Sequence, residues 1–333
     1  MEEYLIELLE CPLCHHSLAW RIEEQEGADI KVAEAECSSC HQTYPVREGI
    51  GIFLSPELPR NDLWEQVGNT LSQMLADHPD LEHRLMVLPI EELGPTDQQL
   101  RALVLDERKQ FGEARRVEAI SHRGLYTPEY MDCWESQMLY ILEALQGMDR
   151  PVVDLASGRG YLVERMLDAG VHPVVATDFS LSALRRDREY FQFLGVRTGL
   201  SLLAFDARMT PFKDGSIKTM TSNLGLANIE NSSELVEELG RVVEGTLLAI
   251  SHFFPEDDDV NREVIRQVGL ETFSYRRSAS ASFASAGWDL SVENPCLGTA
   301  LPTPFSDIFD GVQADGLPVA PTELEWCVLK ARG

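Results

Sequence analysis

Three aspartates close three short apolar runs: Asp154 ends PVVD, Asp178 ends VVATD and Asp206 ends LLAFD. The first is followed at once by LASGRG, a turn of small residues leading into a helical stretch. Glycines let a backbone come close to a ligand, and the free N–H groups at a helix start face it. Ionised carboxylates accept hydrogen bonds, and suit a ribose diol or an amino group. A dinucleotide needs GxGxxG, with its diphosphate on the helix N-terminus. GRGYLV lacks the third glycine, and Asp154 would repel a diphosphate there. The pattern therefore points to a nucleoside cofactor with a positive amino group and no phosphate. Ala156 opens the turn where a further glycine would be commoner, and it is expected to keep a negative φ; a positive φ there would mean that the motif is misread.

A second set of reactive side chains lies near the N-terminus. Cys11-Pro-Leu-Cys14 and Cys37-Ser-Ser-Cys40 are two CxxC pairs, and two such turns present four thiolates to one tetrahedral Zn²⁺. Four thiolates leave no open coordination position, so the ion is structural. Between the pairs, Leu18, Trp20 and Ile22 alternate, EQEGAD turns, and Ile30 and Val32 follow, which predicts a β-hairpin. So small a unit relies on its metal for stability. His15, His16 and His41 flank the knuckles as surface residues.

The elements that must position these groups alternate in type. PVVDL, HPVVATD, LSLLAFD, IKTMTSN and GTLLAIS read as strands. GYLVERMLDAG, SLSALRRDREYFQFLG and SSELVEELGRVVEG, between them, read as helices. Such alternation builds a parallel sheet with helices on both faces, and ligands bind beyond the carboxyl ends of its strands. GWDLSVEN and ELEWCVLKA supply a final antiparallel pair, joined by a long, turn-rich cover. TPEYMDCWESQMLYILEALQG is a helix with Thr127 as N-cap and Pro128 in its first turn. Residues 58–125 read as a helical bridge or lid. There Leu63, Val67, Leu71, Met74 and Leu75 share one face, and LRALVLDERKQFGEARRVEAI continues helically with Leu100, Leu103, Val104 and Phe111.

Taken in order, VVDLASGRG, VVATDFS, FDARMTPFKDGSIKTMTSNLGLANI and ELGRVVEGTLLAIS resemble the successive motifs of class I S-adenosylmethionine-dependent methyltransferases of the type 11 kind. The resemblance runs over about residues 127–255. It implies an α/β fold: a seven-stranded Rossmann-like sheet with helices on both faces. It also implies S-adenosylmethionine as cofactor, held by Asp154, Ala156, Gly158, Gly160, Asp178, Phe179, Asp206, Ala207 and Asn223. Asp178 would take the ribose and Asp206 the adenine amino group, with Tyr126 capping the methionine end. CPLC, CSSC and YPVREGIGIFL resemble the small zinc-ribbon subunit that activates tRNA, rRNA and release-factor methyltransferases, and imply a docking and stabilising module. The implied organisation is a ribbon over residues 1–57, a helical bridge over 58–125 and a methyltransferase domain over 126–333.

Methyl transfer from a sulfonium is an in-line displacement, so the protein mainly orients the nucleophile, excludes water and takes up a proton. His252, in AISHFF, is the candidate base, and Asn223 faces the same region. SNLG is not the Asn-Pro-Pro-aromatic motif of enzymes acting on exocyclic nitrogens, and no cysteine follows the fourth strand for pyrimidine C5 chemistry. HRGLYTPEY resembles a segment of bacterial zinc-containing rRNA guanine methyltransferases, yet net charge is -27 and acidic residues outnumber basic ones throughout. Phosphate binding needs basic surface. Arg185, Arg186 and Arg188, with Arg115 and Arg116, read as solvated helix faces, and EDDD at 256–259 as an acidic loop near the active-site mouth. A small-molecule or protein acceptor with an O or N nucleophile is expected. An RNA methyltransferase and a non-catalytic scaffold docking through the ribbon are the alternatives. No run is long and apolar enough to span a membrane, and the acidic N-terminus is unlike a signal peptide, which points to the cytoplasm. The oligomeric state stays open.

Overall fold

A computed structural model describes residues 1–55, 71 and 73–333. Strands β1 (Leu18–Glu26), β2 (Asp29–Cys37), β3 (Thr43–Arg47) and β4 (Ile50–Ile52) form the N-terminal ribbon. The nucleotide-binding part contributes β5 (Val152–Asp154), β6 (Val174–Asp178), β7 (Leu200–Ala204), β8 (Ile217–Asn223) and β9 (Val243–Phe253). The chain ends in β10 (Asp289–Ala300) and β11 (Thr322–Arg332).

The expected sheet of seven strands is part of a larger one. All strands of the described residues join a single 11-stranded sheet of order β1-β2-β3-β4-β7-β6-β5-β8-β9-β11-β10. The last seven in that order are the predicted parallel core with its antiparallel final pair. The other four extend it because Ile50, Gly51 and Ile52 pair in parallel with Leu202, Leu203 and Ala204. Without that pairing, β7 would be an edge strand with free N–H and C=O groups. The ribbon supplies their partners, so it continues the sheet. Met1, Leu5, Tyr44 and Phe53 accordingly share one buried cluster with Val153, Val175 and Leu203.

Among the described residues the α-helices are α1 (Pro79–Val87), α2 (Pro95–Glu107), α3 (Phe111–Leu125), α4 (Pro128–Ala144), α5 (Tyr161–Asp168), α6 (Leu181–Phe193), α7 (Ser232–Val242), α8 (Asp259–Gln267), α9 (Glu271–Ser274) and α10 (Arg276–Ser285). The stretch LRALVLDERKQFGEARRVEAI, read as one helical run, forms two helices. Lys109 at φ 61° turns the chain between α2 and α3. Leu63 and Val67 lie outside the described residues. Leu71, with Met74 and Leu75 against it, packs in a cluster with Leu85, Leu100, Val104 and Val117. Ile308 and Phe309 from the long β10–β11 loop complete that cluster. The bridge helices and the cover loop therefore pack as one layer. The Thr127 hydroxyl accepts from the Tyr130 N–H at 3.2 Å, capping α4 as its sequence predicts.

Candidate active site

The carboxyl ends of β5, β6, β7 and β8 open onto two adjoining cavities. The smaller, about 80 Å³, is lined by Asp178, Phe179, Asp206, Ala207 and Arg208, among others. The larger, about 490 Å³, takes in Tyr126, Ala156, Gly158, Asp178, Phe179 and Asn223 from the expected set. Asp154, Gly160 and His252 line neither.

Asp154 is buried beneath the glycine-rich turn. Its carboxylate accepts from the Thr221 hydroxyl at 2.6 Å, and its carbonyl accepts from the hydroxyls of Ser157 (3.0 Å) and Thr177 (2.8 Å). Burial pushes its pKa up to about 6, against the pull of the hydroxyls of Thr221 and Ser157. The Leu155 N–H donates to the Thr221 carbonyl and the Ser157 N–H to the Thr177 carbonyl, both at 2.8 Å. These bonds pin the turn to the strands on either side. They hold Ala156 at φ 52°, against the expected negative value. The position demands a left-handed backbone, for which glycine is the usual residue, and alanine adopts it at a cost. A positive φ does not undo the turn, because Ala156 still lines both cavities.

Asp178 spans the turn. One carboxylate oxygen accepts from the Gly158 N–H at 2.9 Å and the other from the Ser180 N–H at 2.8 Å. Asp206 is engaged by Arg208, whose Nε and terminal nitrogen donate to its two oxygens at 2.9 and 2.6 Å. The carboxylate expected to take the adenine amino group is thus already shared with Arg208. Asn223 accepts from the Trp134 indole N–H at 3.0 Å. The Tyr126 hydroxyl donates to Asp315 of the cover loop at 2.8 Å, and its ring stacks on Tyr130 at 4.8 Å.

His252 lies on β9 with its ring 4.9 Å from that of Trp326, and its Nδ1 has no hydrogen-bond partner. Burial lowers its pKa to about 4. A neutral, weakly basic imidazole outside the cavity is a poor general base. EDDD is also away from the cavity. Asp258 caps α8, accepting from the Asn261 N–H at 3.1 Å.

Arg116 and Arg185 are exposed as expected, but Arg115, Arg186 and Arg188 are half-buried and paired. Arg186 pairs with Asp106 at 2.6 Å and with Asp187, while Arg188 meets Glu48 of the ribbon. Arg115 reaches Glu118 at 2.9 Å and Glu164 at 3.1 Å, over the rings of Tyr161 and Tyr190. Arg159, inside the glycine-rich turn, lies 3.1 Å from Glu118, which also accepts from the Tyr161 hydroxyl at 2.7 Å. Glu118 of α3 thus grips both the turn and the first residue of α5. Burial would raise its pKa, but the charges of Arg159 and Arg115 and the bonds from Tyr161 and Arg115 outweigh it and hold the carboxyl at about 2.

At the other end of the sheet, the four sulfurs of Cys11, Cys14, Cys37 and Cys40 lie within 4.8 Å of one another. Cys11 and Cys40 approach to 3.6 Å, and Cys14 and Cys37 to 3.4 Å. A tetrahedral Zn²⁺ with bonds of ~2.3 Å has sulfur–sulfur edges of about 3.8 Å. Backbone N–H groups of Ser39 and Cys40 point at the Cys37 sulfur, at 3.4 and 3.5 Å. The donor set fits a metal ion.

Comparison with known proteins agrees with both ends of the chain. Residues 153–249 match the family model described as a methyltransferase domain, and residues 2–49 match that of Trm112p-like protein. The chain joins a Trm112p-like domain to a methyltransferase domain. It is 38% identical over 103 residues to a demethylmenaquinone methyltransferase of Paenarthrobacter aurescens, covering 31% of this chain and 38% of that relative. The chain thus spans well under half the length of that relative. A UPF0434 protein of Nitrosococcus oceani is 30% identical over 67 residues, 20% of this chain and all of that one. Among solved structures, the YcgJ protein of Bacillus subtilis has a TM-score of 0.47 at 16% identity, covering 60% of this chain and 99% of that one.

Several residues of the methyltransferase domain's cavity went unread in the sequence. Tyr130, Trp134, Trp326 and Asp315 line it, as does Arg159. Tyr130 and Trp134 stand four apart on α4, one face of a helix, and that spacing was the available signal. Asp315 and Trp326 reach the cavity only through tertiary folding. Among the described residues no helix is long and apolar enough to cross a membrane.

Proposed function

We propose that the chain is an S-adenosylmethionine-dependent methyltransferase whose Trm112p-like domain carries a structural Zn²⁺ on Cys11, Cys14, Cys37 and Cys40. The observation that carries this reading is the turn–carboxylate arrangement. Asp178 accepts from the Gly158 N–H at 2.9 Å, at the meeting of two cavities on the carboxyl ends of a methyltransferase sheet. In this reading Asp178 takes the ribose. Phe179, Ala207 and Asp206, the last shared with Arg208, surround the adenine. Ala156, Gly158, Asn223 and Tyr126 border the methionine end. Asp154 and Gly160 act from beneath, by fixing the turn. Bound there, the cofactor supplies an electrophilic methyl group. The protein holds the acceptor in line and excludes water, with the bridge helices and the cover loop closing one side.

The acceptor is a small molecule or a protein group attacking through nitrogen or oxygen. Net charge of -27 and the pairing of Arg115, Arg159, Arg186 and Arg188 with carboxylates leave little basic surface for RNA. The likeness to a demethylmenaquinone methyltransferase, with the aromatic lining, favours a neutral ring acceptor as a second reading. Transfer of labelled methyl groups into cell extract separated into RNA, protein and metabolites tests this. Label in metabolites or protein is the expected result, and label confined to RNA refutes it.

A further inference from the structure

The larger cavity has an aromatic wall of which the cofactor reading uses only Tyr126. Tyr126 and Tyr130 stack at 4.8 Å and 9°, Tyr130 meets Trp326 edge-on at 4.8 Å, and Trp134 meets Tyr161 edge-on at 5.6 Å. Asp315 stands in this wall. It accepts from the Tyr126 hydroxyl, and no arginine, lysine or histidine of the described residues pairs with it. Burial raises its pKa, with the Tyr126 hydrogen bond pulling the other way. A carboxylate in an aromatic wall without a cation is costly, and a ligand that brings the cation removes that cost. Aromatic faces carry negative potential and add to the attraction.

The other charges on the cavity narrow the choice. Arg159 is the lining cation among the described residues, and its guanidinium is already paired with Glu118 at 3.1 Å and Asp106 at 3.6 Å. Burial lowers the pKa of His122, the other basic group on the wall, and so favours its neutral form. An anionic acceptor meets Asp178 and Asp315, and the guanidinium of Arg159, though its Nε donates to no partner, is already ion-paired with two carboxylates. A neutral acceptor leaves Asp315 uncompensated.

Resting on the methyltransferase reading above, we propose that the acceptor is an amine, cationic in solution, whose nitrogen is held by Asp315 and the rings of Tyr126 and Tyr130. The amine binds as the ammonium cation beside Asp315, passes one proton to that carboxylate and on to solvent, and its freed lone pair then forms the bond to the methyl carbon. The carbon–sulfur bond breaks with its electron pair left on sulfur, giving the neutral thioether. The product is again a cation at neutral pH, so the wall also fits the methylated amine.

The test uses the full chain saturated with S-adenosylhomocysteine. Calorimetry first measures that saturation, and absence of binding refutes the methyltransferase reading and this inference with it. Benzyltrimethylammonium, its neutral carbon isostere neopentylbenzene, and benzoate are then titrated while tryptophan fluorescence is followed. The cation is expected to bind about tenfold tighter than the isostere, and Asp315→Asn to remove most of that preference. With S-adenosylhomocysteine bound, equal or tighter binding of the isostere supports the neutral ring acceptor and overturns the amine. Tighter binding of benzoate overturns it as well. The wild-type comparison decides the matter even where Asp315→Asn fails to fold.

Discussion

Glu118→Gln separates a fixed clamp from a hinged lid. In the folded protein the Glu118 carboxyl is held at about 2, against an ordinary 4.5. A gap of about 2.5 pKa units at ~1.4 kcal/mol each is on the order of 3 kcal/mol of stabilisation by the ionised form. Glutamine keeps the shape and an acceptor for the Tyr161 hydroxyl. Arg115 keeps Glu164 at 3.1 Å and Arg159 keeps Asp106 at 3.6 Å, so the variant retains part of the network. The expected loss at pH 7 is about 2–3 kcal/mol, below the full cost of orphaning a buried charge. Because the folded pKa lies below the unfolded one, the stabilisation is fully present above about pH 4.5 and is lost as pH falls towards 2. Urea unfolding of both proteins at pH 7, 5 and 3 measures it. The gap should be equal at pH 7 and 5 and smaller at pH 3. A gap below about 0.5 kcal/mol at pH 7, the range of an exposed pair, would refute the clamp, as would one that grows towards low pH.

Further outcomes follow from the same geometry. Ala156→Gly relieves the left-handed backbone and should stabilise the fold by about 1 kcal/mol, read from urea unfolding, whereas Ala156→Val should destabilise it. Chelation of metal, or Cys37→Ser, should unfold β1–β4 and uncover β7, seen as loss of hydrogen-exchange protection at Leu202 and Leu203 against a protected β5. His252→Gln should leave turnover within tenfold of wild type, because a general base is worth about 10²–10⁴-fold. A loss of that size would return His252 to the chemistry.

The order of strands and helices was legible because each element carries its own period and its own ends. Thr127 with Pro128 starts α4, and PVVD, VVATD and LLAFD are buried strands closed by carboxylates. The cysteine spacing likewise announces its cluster. What the sequence left unread comes from pairing at a distance. Ile50–Ile52 looks like the end of the ribbon, and only the exposed edge of β7 makes it a strand of a larger sheet. Ala156 adopts a positive φ because bonds from Leu155 and Ser157 to neighbouring strands fix the turn, and neither bond is visible in LASGRG. The arginines of α3 and α6 read as solvated because part of their pairing comes from carboxylates far away in sequence, Asp106 being 80 residues from Arg186 and Glu164 being 49 from Arg115. His252 follows the expected strand but turns into an aromatic layer with Trp326, which the chain supplies much later.

The central claim is that the turn at Asp154–Gly160 and Asp178 hold S-adenosylmethionine. Calorimetric titration of the full chain with S-adenosylmethionine, S-adenosylhomocysteine and NAD tests it most directly, with Asp178→Ala alongside. One site binding the first two, silent towards NAD and weakened in Asp178→Ala, is the predicted result. Binding of NAD alone, or of none of the three, would contradict it.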